Sequence, residues 1–139
     1  AHDGVVTAKE LYFTQDLPVD QGGVVMVNGY LYGFSSAVLN CVDLATGKRV
    51  WRDRSVGSGS LIYADGRLYL LSASFTVGLV EATSNGYRER GRFTIADRGQ
   101  PSYAHPVLSG GQLYIRNWDE LTAYDVNAKQ VAYSIQAPR

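Results

Sequence analysis

The sequence is poor in the residues that most often carry chemistry. Cys41 is the only cysteine among 139 residues, so neither an internal disulfide nor a thiolate metal cluster can form. It lies in the apolar run Val38, Leu39, Asn40, Cys41, Val42, where a thiol reads as a small buried hydrophobe; reactivity needs a basic, exposed setting. Charge of one sign is also missing. The 13 basic and 13 acidic residues cancel, whereas a nucleic-acid binder carries a basic surplus to neutralise phosphates, so no nucleic-acid partner is expected. The local cluster Arg88, Arg90, Arg92 is interrupted by Glu89, and its alternate spacing places the three arginines on one solvated strand face. No apolar run reaches about 18 residues, so no membrane span is expected. Ala1 stands where an initiator methionine would, and a processed or excised chain is expected. No stretch of about 11 residues or more carries a 3.6-residue apolar period, which predicts essentially no helix.

What the sequence does have is an internal repeat. Val27-Asn28-Gly29-Tyr30-Leu31-Tyr32, Ala64-Asp65-Gly66-Arg67-Leu68-Tyr69 and Ser109-Gly110-Gly111-Gln112-Leu113-Tyr114 share a turn pair ending in glycine, one variable residue, then Leu-Tyr. Gly29 to Gly66 is 37 residues and Gly66 to Gly111 is 45, the period range of a propeller blade. Asn-Gly and Asp-Gly reach positive φ at little cost and favour tight hairpins. An apolar run precedes each turn, at 23–27, 60–64 and 105–108. Directly after each turn Leu and an aromatic alternate with small or polar residues at the strand period of two, and two further strand-like runs follow: 38–44 and 48–52, then 77–82 and 88–95, then 120–126 and 130–135. The fold class expected is therefore all-β, in four-stranded antiparallel blades spanning 22–56, 57–98 and 99–139. Residues 8–14 also read as a strand, the outer strand of a preceding blade, joined through a polar linker with Pro18 to make up residues 1–21.

The segment Cys41-Val42-Asp43-Leu44-Ala45-Thr46-Gly47-Lys48-Arg49-Val50-Trp51 is similar to the tryptophan-docking motif of pyrroloquinoline-quinone-type propeller repeats. In that family an Asp, a Thr-Gly turn with Lys, and a Trp recur in each blade. The resemblance implies that Asp43, Thr46, Gly47 and Lys48 build the turn between third and fourth strands and that Trp51 packs between neighbouring blades. The turn glycines Gly29, Gly66 and Gly111 complete the structural set. The later units depart from the pattern. Glu81 stands for the Asp and Phe93 for the Trp in the second, with a longer turn through Asn85-Gly86; the third keeps Asp125, has Asn127-Ala128 for Thr-Gly, and has Tyr133 at the Trp spacing. About three blades plus one orphan strand make an incomplete ring, and the resemblance to bacterial extracytoplasmic members implies a periplasmic or secreted setting.

Quinone dehydrogenases of that superfamily use a disulfide between adjacent cysteines and a calcium site of Glu, Asn and Asp. Neither set can be matched here, so no cofactor, no metal and no catalytic residue is expected. The two histidines are His2 and His105, too few for a zinc site. Ser102 and Tyr103 beside His105 lie along one extended segment, which does not make a triad. Gly57-Ser58-Gly59-Ser60 lacks the Gly-Lys-Ser/Thr ending of a phosphate loop and reads as a connection. Trp118, next to Asp119 and Glu120, is suited to stack on a sugar or to cover a blade edge. The function expected is a non-catalytic interaction scaffold that meets a protein partner, or copies of itself as a homo-oligomer, through open blade faces. The alternative is an enzyme or glycan-binding propeller whose active groups lie outside this segment.

Overall fold

A computed structural model of the protein describes residues 4, 6–17 and 22–127. Among them are eleven β-strands and no helix, arranged as antiparallel sheets of 4, 4 and 3 strands. The first holds β1 (Val24–Val27), β2 (Tyr30–Ser35), β3 (Val38–Asp43) and β4 (Arg49–Asp53) in that order. The second holds β5 (Gly59–Ala64), β6 (Arg67–Ser72), β7 (Thr76–Glu81) and β8 (Glu89–Thr94), and the third β9 (Val107–Ser109), β10 (Gln112–Asn117) and β11 (Glu120–Asp125). The strand runs expected at 23–27, 38–44, 48–52, 60–64, 77–82, 88–95, 105–108 and 120–126 each coincide with one of these strands to within two residues. The run at 130–135 and Tyr133 lie outside the described residues.

The repeated turn pairs set the register. Asn28-Gly29, Asp65-Gly66 and Gly110-Gly111 all have positive φ at both residues, the type I′ geometry whose twist matches that of the flanking strands. The pairings Val27↔Tyr30, Ala64↔Arg67 and Ser109↔Gln112 close the three hairpins. Each turn glycine then accepts a hydrogen bond from beyond the third strand: Leu44 N–H to Gly29 O, Ala82 N–H to Gly66 O and Val126 N–H to Gly111 O, at 2.9, 3.0 and 2.9 Å. Asp43, Glu81 and Asp125 therefore occupy one equivalent position in the three sheets. A register shift also recurs, between Cys41 and Val42 and again between Leu79 and Val80.

Alternation sends one face of each sheet toward the next. Tyr32, Phe34, Leu39 and Cys41 of the first sheet are buried with Leu61, Leu68, Leu70 and Val80 of the second. The opposite face of the second sheet, with Leu71 and Val77, is buried with Leu113 and Ile115 of the third. The sheets are thus stacked in chain order with two apolar layers between them. At the inner edge β1 and β5 approach so closely that a Cβ on Gly22 would stand 2.1 Å from the Gly59 carbonyl oxygen.

Residues 8–14 are not a strand. Leu11, Tyr12 and Phe13 run in succession rather than alternating with polar residues, and among the described residues no backbone–backbone hydrogen bond joins the segment to a sheet. The segment instead lies on the β3–β4 turn, held by side chains: the Tyr12 hydroxyl donates to Leu44 O at 2.7 Å and Thr14 Oγ1 to Gly47 O at 2.6 Å. Asp16 forms an ion pair with Arg49.

Candidate functional site

The β3–β4 turn is built by its own sequence. Asp43 Oδ1 accepts from the Thr46 backbone N–H and from the Thr46 hydroxyl, both at 2.8 Å. These bonds, that of the hydroxyl foremost, hold the Asp43 carboxyl below the usual carboxylate range. The chain then reverses at Gly47, φ 70°, whose N–H returns to Asp43 O at 2.8 Å while Asp43 N–H reaches Lys48 O at 2.9 Å. A Cβ on Gly47 would meet the Tyr12 ring at 2.7 Å. Lys48 is exposed and enters the turn through its backbone.

The turn delivers β4 with Trp51 facing the second sheet. Trp51 is paired with Cys41, which is paired with Tyr32, so the three side chains form one row across the sheet. The indole lies 6.0 Å from the Tyr32 ring and 6.3 Å, edge-on, from Tyr87 of the second sheet's β7–β8 turn. Its Nε1–H donates to Thr83 O at 2.8 Å. A half-buried Trp thus spans both sheets, its ring packed and its one polar atom satisfied. Beneath it Tyr32 is 1% exposed and Cys41 0%, and burial is the main cause that raises both of their pKa values.

The second sheet repeats the frame without the indole. The bond of Glu81 N–H to Arg88 O matches that of Asp43 N–H to Lys48 O, so Arg88 stands at the position of Lys48. Three residues on, Gly91 stands at that of Trp51, and its pairing with Leu79, itself opposite Tyr69, repeats the Trp51–Cys41–Tyr32 row. Phe93, expected at the Trp position, is displaced by two pairs along the same face: it sits opposite Val77, at the register of Asp53, and meets Tyr124 of the third sheet at 4.9 Å. An ideal Cβ on Gly91 finds nothing within 4 Å. The result is a groove between the second and third sheets, with hollows of about 680 and 350 Å³ that share Tyr69, Leu79, Val126 and Asn127. Tyr69 is half-exposed where its counterpart Tyr32 is covered. At the rim Glu81 is paired with Arg90, with Arg88 at 3.8 Å, and the bond from Arg90 leads the causes that lower the Glu81 carboxyl.

The remaining candidates do not converge. Arg88, Arg90 and Arg92 are exposed, as expected, and face carboxylates: the first two Glu81, the third Glu89. Cys41 is buried within the first layer. Ser102 is buried, with its hydroxyl 3.5 Å from Arg116 O, whereas Tyr103 and His105 are exposed. Gly59 and Ser60 begin β5 rather than continuing a loop, and Ser60 Oγ donates to Ala104 O at 2.8 Å. Trp118 is 52% exposed in the β10–β11 turn, while Glu120 beside it pairs with Arg98. His2 lies outside the described residues. Among the described residues no three His, Cys, Asp or Glu side chains gather as a metal site, and no helix is long and apolar enough to cross a membrane. What the geometry offers is a recess between sheets lined by Tyr69, Leu79 and Val126, with Asp65, Arg67, Glu81 and Arg90 also in its lining.

Sequence reasoning missed Gly91, Tyr87 and Thr83, and marked Tyr69 only as part of the repeated turn motif. Counting outward from Glu81 to Arg88 and then three residues would have found Gly91; counting to the nearest aromatic found Phe93. No family model matches the chain, and no curated protein matches it.

Proposed function

We propose that the three sheets are blades of an incomplete β-propeller of the pyrroloquinoline-quinone-like repeat type, working outside the cytoplasm as a non-catalytic interaction scaffold. Support for the blade reading comes from the stacking. Successive four-stranded sheets meet backbone to backbone at their inner strands, through Gly22 and Gly59, and are held apart at their outer strands by Trp51. Sheets so wedged turn about an axis as they stack.

The observation that carries the scaffold reading is the exposure of large apolar side chains at both ends of the stack. Leu11 and Phe13 are 83% and 77% exposed at one end, and Leu121 and Val107 are 70% and 57% exposed at the other. Apolar surface of this kind is satisfied by further blades or by another chain. The occupant is a protein: missing blades of a longer parent, or a second copy of this chain that closes a larger ring. Light scattering coupled to size exclusion tests this. At micromolar concentration the isolated chain is expected to run as a dimer or larger species, and Leu121→Lys with Phe13→Lys should return it toward monomer. A monodisperse wild-type monomer that unfolds cooperatively and binds no hydrophobic dye would overturn the reading.

A further inference from the structure

We infer that the groove between the second and third sheets is a binding site for a small, neutral, planar aromatic molecule of indole size. The fold itself shows what its frame accepts at this place. At the first junction the row Tyr32–Cys41–Trp51 puts an indole over a tyrosine ring, with its N–H on the carbonyl of Thr83. At the second, the row is Tyr69–Leu79–Gly91, and among the described residues a Cβ on Gly91 would meet nothing within 4 Å, in a hollow of about 350 Å³ that Gly91 lines. Thr83 lies two residues beyond Glu81, and Asn127 lies two beyond the equivalent Asp125, so the acceptor position is retained as well. Asn127 lines both hollows.

The lining matches such a ligand in polarity. Tyr69, Leu79, Leu113 and Val126 supply apolar and aromatic surface, from which water is readily displaced by a ring. The charges at the rim are balanced, Arg67 and Arg90 against Asp65 and Glu81, with Arg90 already committed to Glu81. The opposed charges cancel over the rim, so it offers a charged ligand no net attraction to offset its lost hydration, and a neutral one is favoured. The hollows fall in the size range of ordinary small-molecule sites. Nothing in this inference depends on whether the sheets belong to a propeller.

Indole is the probe. Titrated into the 15N-labelled chain, it should shift the amides of Tyr69, Gly91 and Val126 saturably, with a Kd on the order of 0.1–1 mM for a ligand of so few atoms. Gly91→Trp fills the recess and should weaken binding at least tenfold. Gly91→Met, a smaller plug, should weaken it less while keeping the dispersion of the folded spectrum. Absence of saturable shifts at these amides up to roughly 10 mM would overturn the inference. So would a Gly91→Trp protein that is folded and still binds indole as the wild type does, or shifts confined to Tyr103 and Trp118.

Discussion

The two junctions between the three sheets use one backbone plan and differ in one side chain. Both join sheets whose acidic residue caps the third strand and whose turn glycine accepts the following N–H, and a bulge at the same pair recurs in the first two sheets. The first places Trp51 across its fourth strand; the second places Gly91 there and has its aromatic two pairs along, at Phe93. Yet both keep a buried apolar layer that includes Leu and Val side chains. The apolar layers are thus common to both junctions, and the tryptophan governs how tightly the outer strands close over them. Tyr32 and Tyr69 measure the difference, one sealed and the other open to water.

Breaking the closed junction should give the largest effect. Trp51→Ala removes the ring between Tyr32 and Tyr87 and strands the Thr83 carbonyl, and is expected to destabilise by about 3–4 kcal/mol. Urea midpoints at constant m-value measure it; a loss below about 1 kcal/mol would mean that the indole merely covers the surface. Closing the open junction should act in the opposite sense. Gly91→Trp has room for its Cβ and would bury ring surface against Tyr69 and Leu79, a gain of about 1–2 kcal/mol. A destabilised but folded Gly91→Trp protein would show that the second junction is not spaced like the first.

The hairpins were legible in the sequence because their turns are local: Asn28-Gly29, Asp65-Gly66 and Gly110-Gly111 fix the register by themselves. The turn at Asp43 was legible for the same reason, since Thr46 lies three residues away. Residues 8–14 misled because strand-forming residues such as Tyr12, Phe13 and Thr14 do not by themselves supply a strand to pair with. Phe93 misled because the β7–β8 turn is longer than the β3–β4 turn, so spacing from Glu81 no longer equals spacing from Asp43. The groove was invisible because it is a missing side chain, at a glycine no motif marks. Tyr87 and Thr83 were hidden too, since their role depends on a contact more than 30 residues away in sequence.

The smallest expected effect is a test of water exclusion at the first junction. Burial, foremost, raises the phenol of Tyr32 well above its ordinary value, and burial followed by the hydrogen bond to Glu89 pushes Tyr87 up to about 12. A raised folded-state value for an acid that is neutral when protonated means that the folded chain holds its proton longer than the unfolded chain does. The resulting stability is complete below the ordinary tyrosine value of about 10 and is lost as pH rises through the folded value. Phenolate absorbance in an alkaline titration should therefore show a late phase that coincides with the onset of unfolding. In Trp51→Ala, or in the gentler Trp51→Phe if the alanine protein is too unstable, water reaches the Tyr32 ring, and part of that late phase should move to lower pH. The hydrogen bond from Tyr87 to Glu89 lies wholly within the second sheet and its turn, so the share of the shift due to that bond should survive the substitution. A late phase that is unchanged in both variants would assign the sealing of Tyr32 to the aliphatic layer beneath it, and would reduce the difference between the two junctions to one of volume.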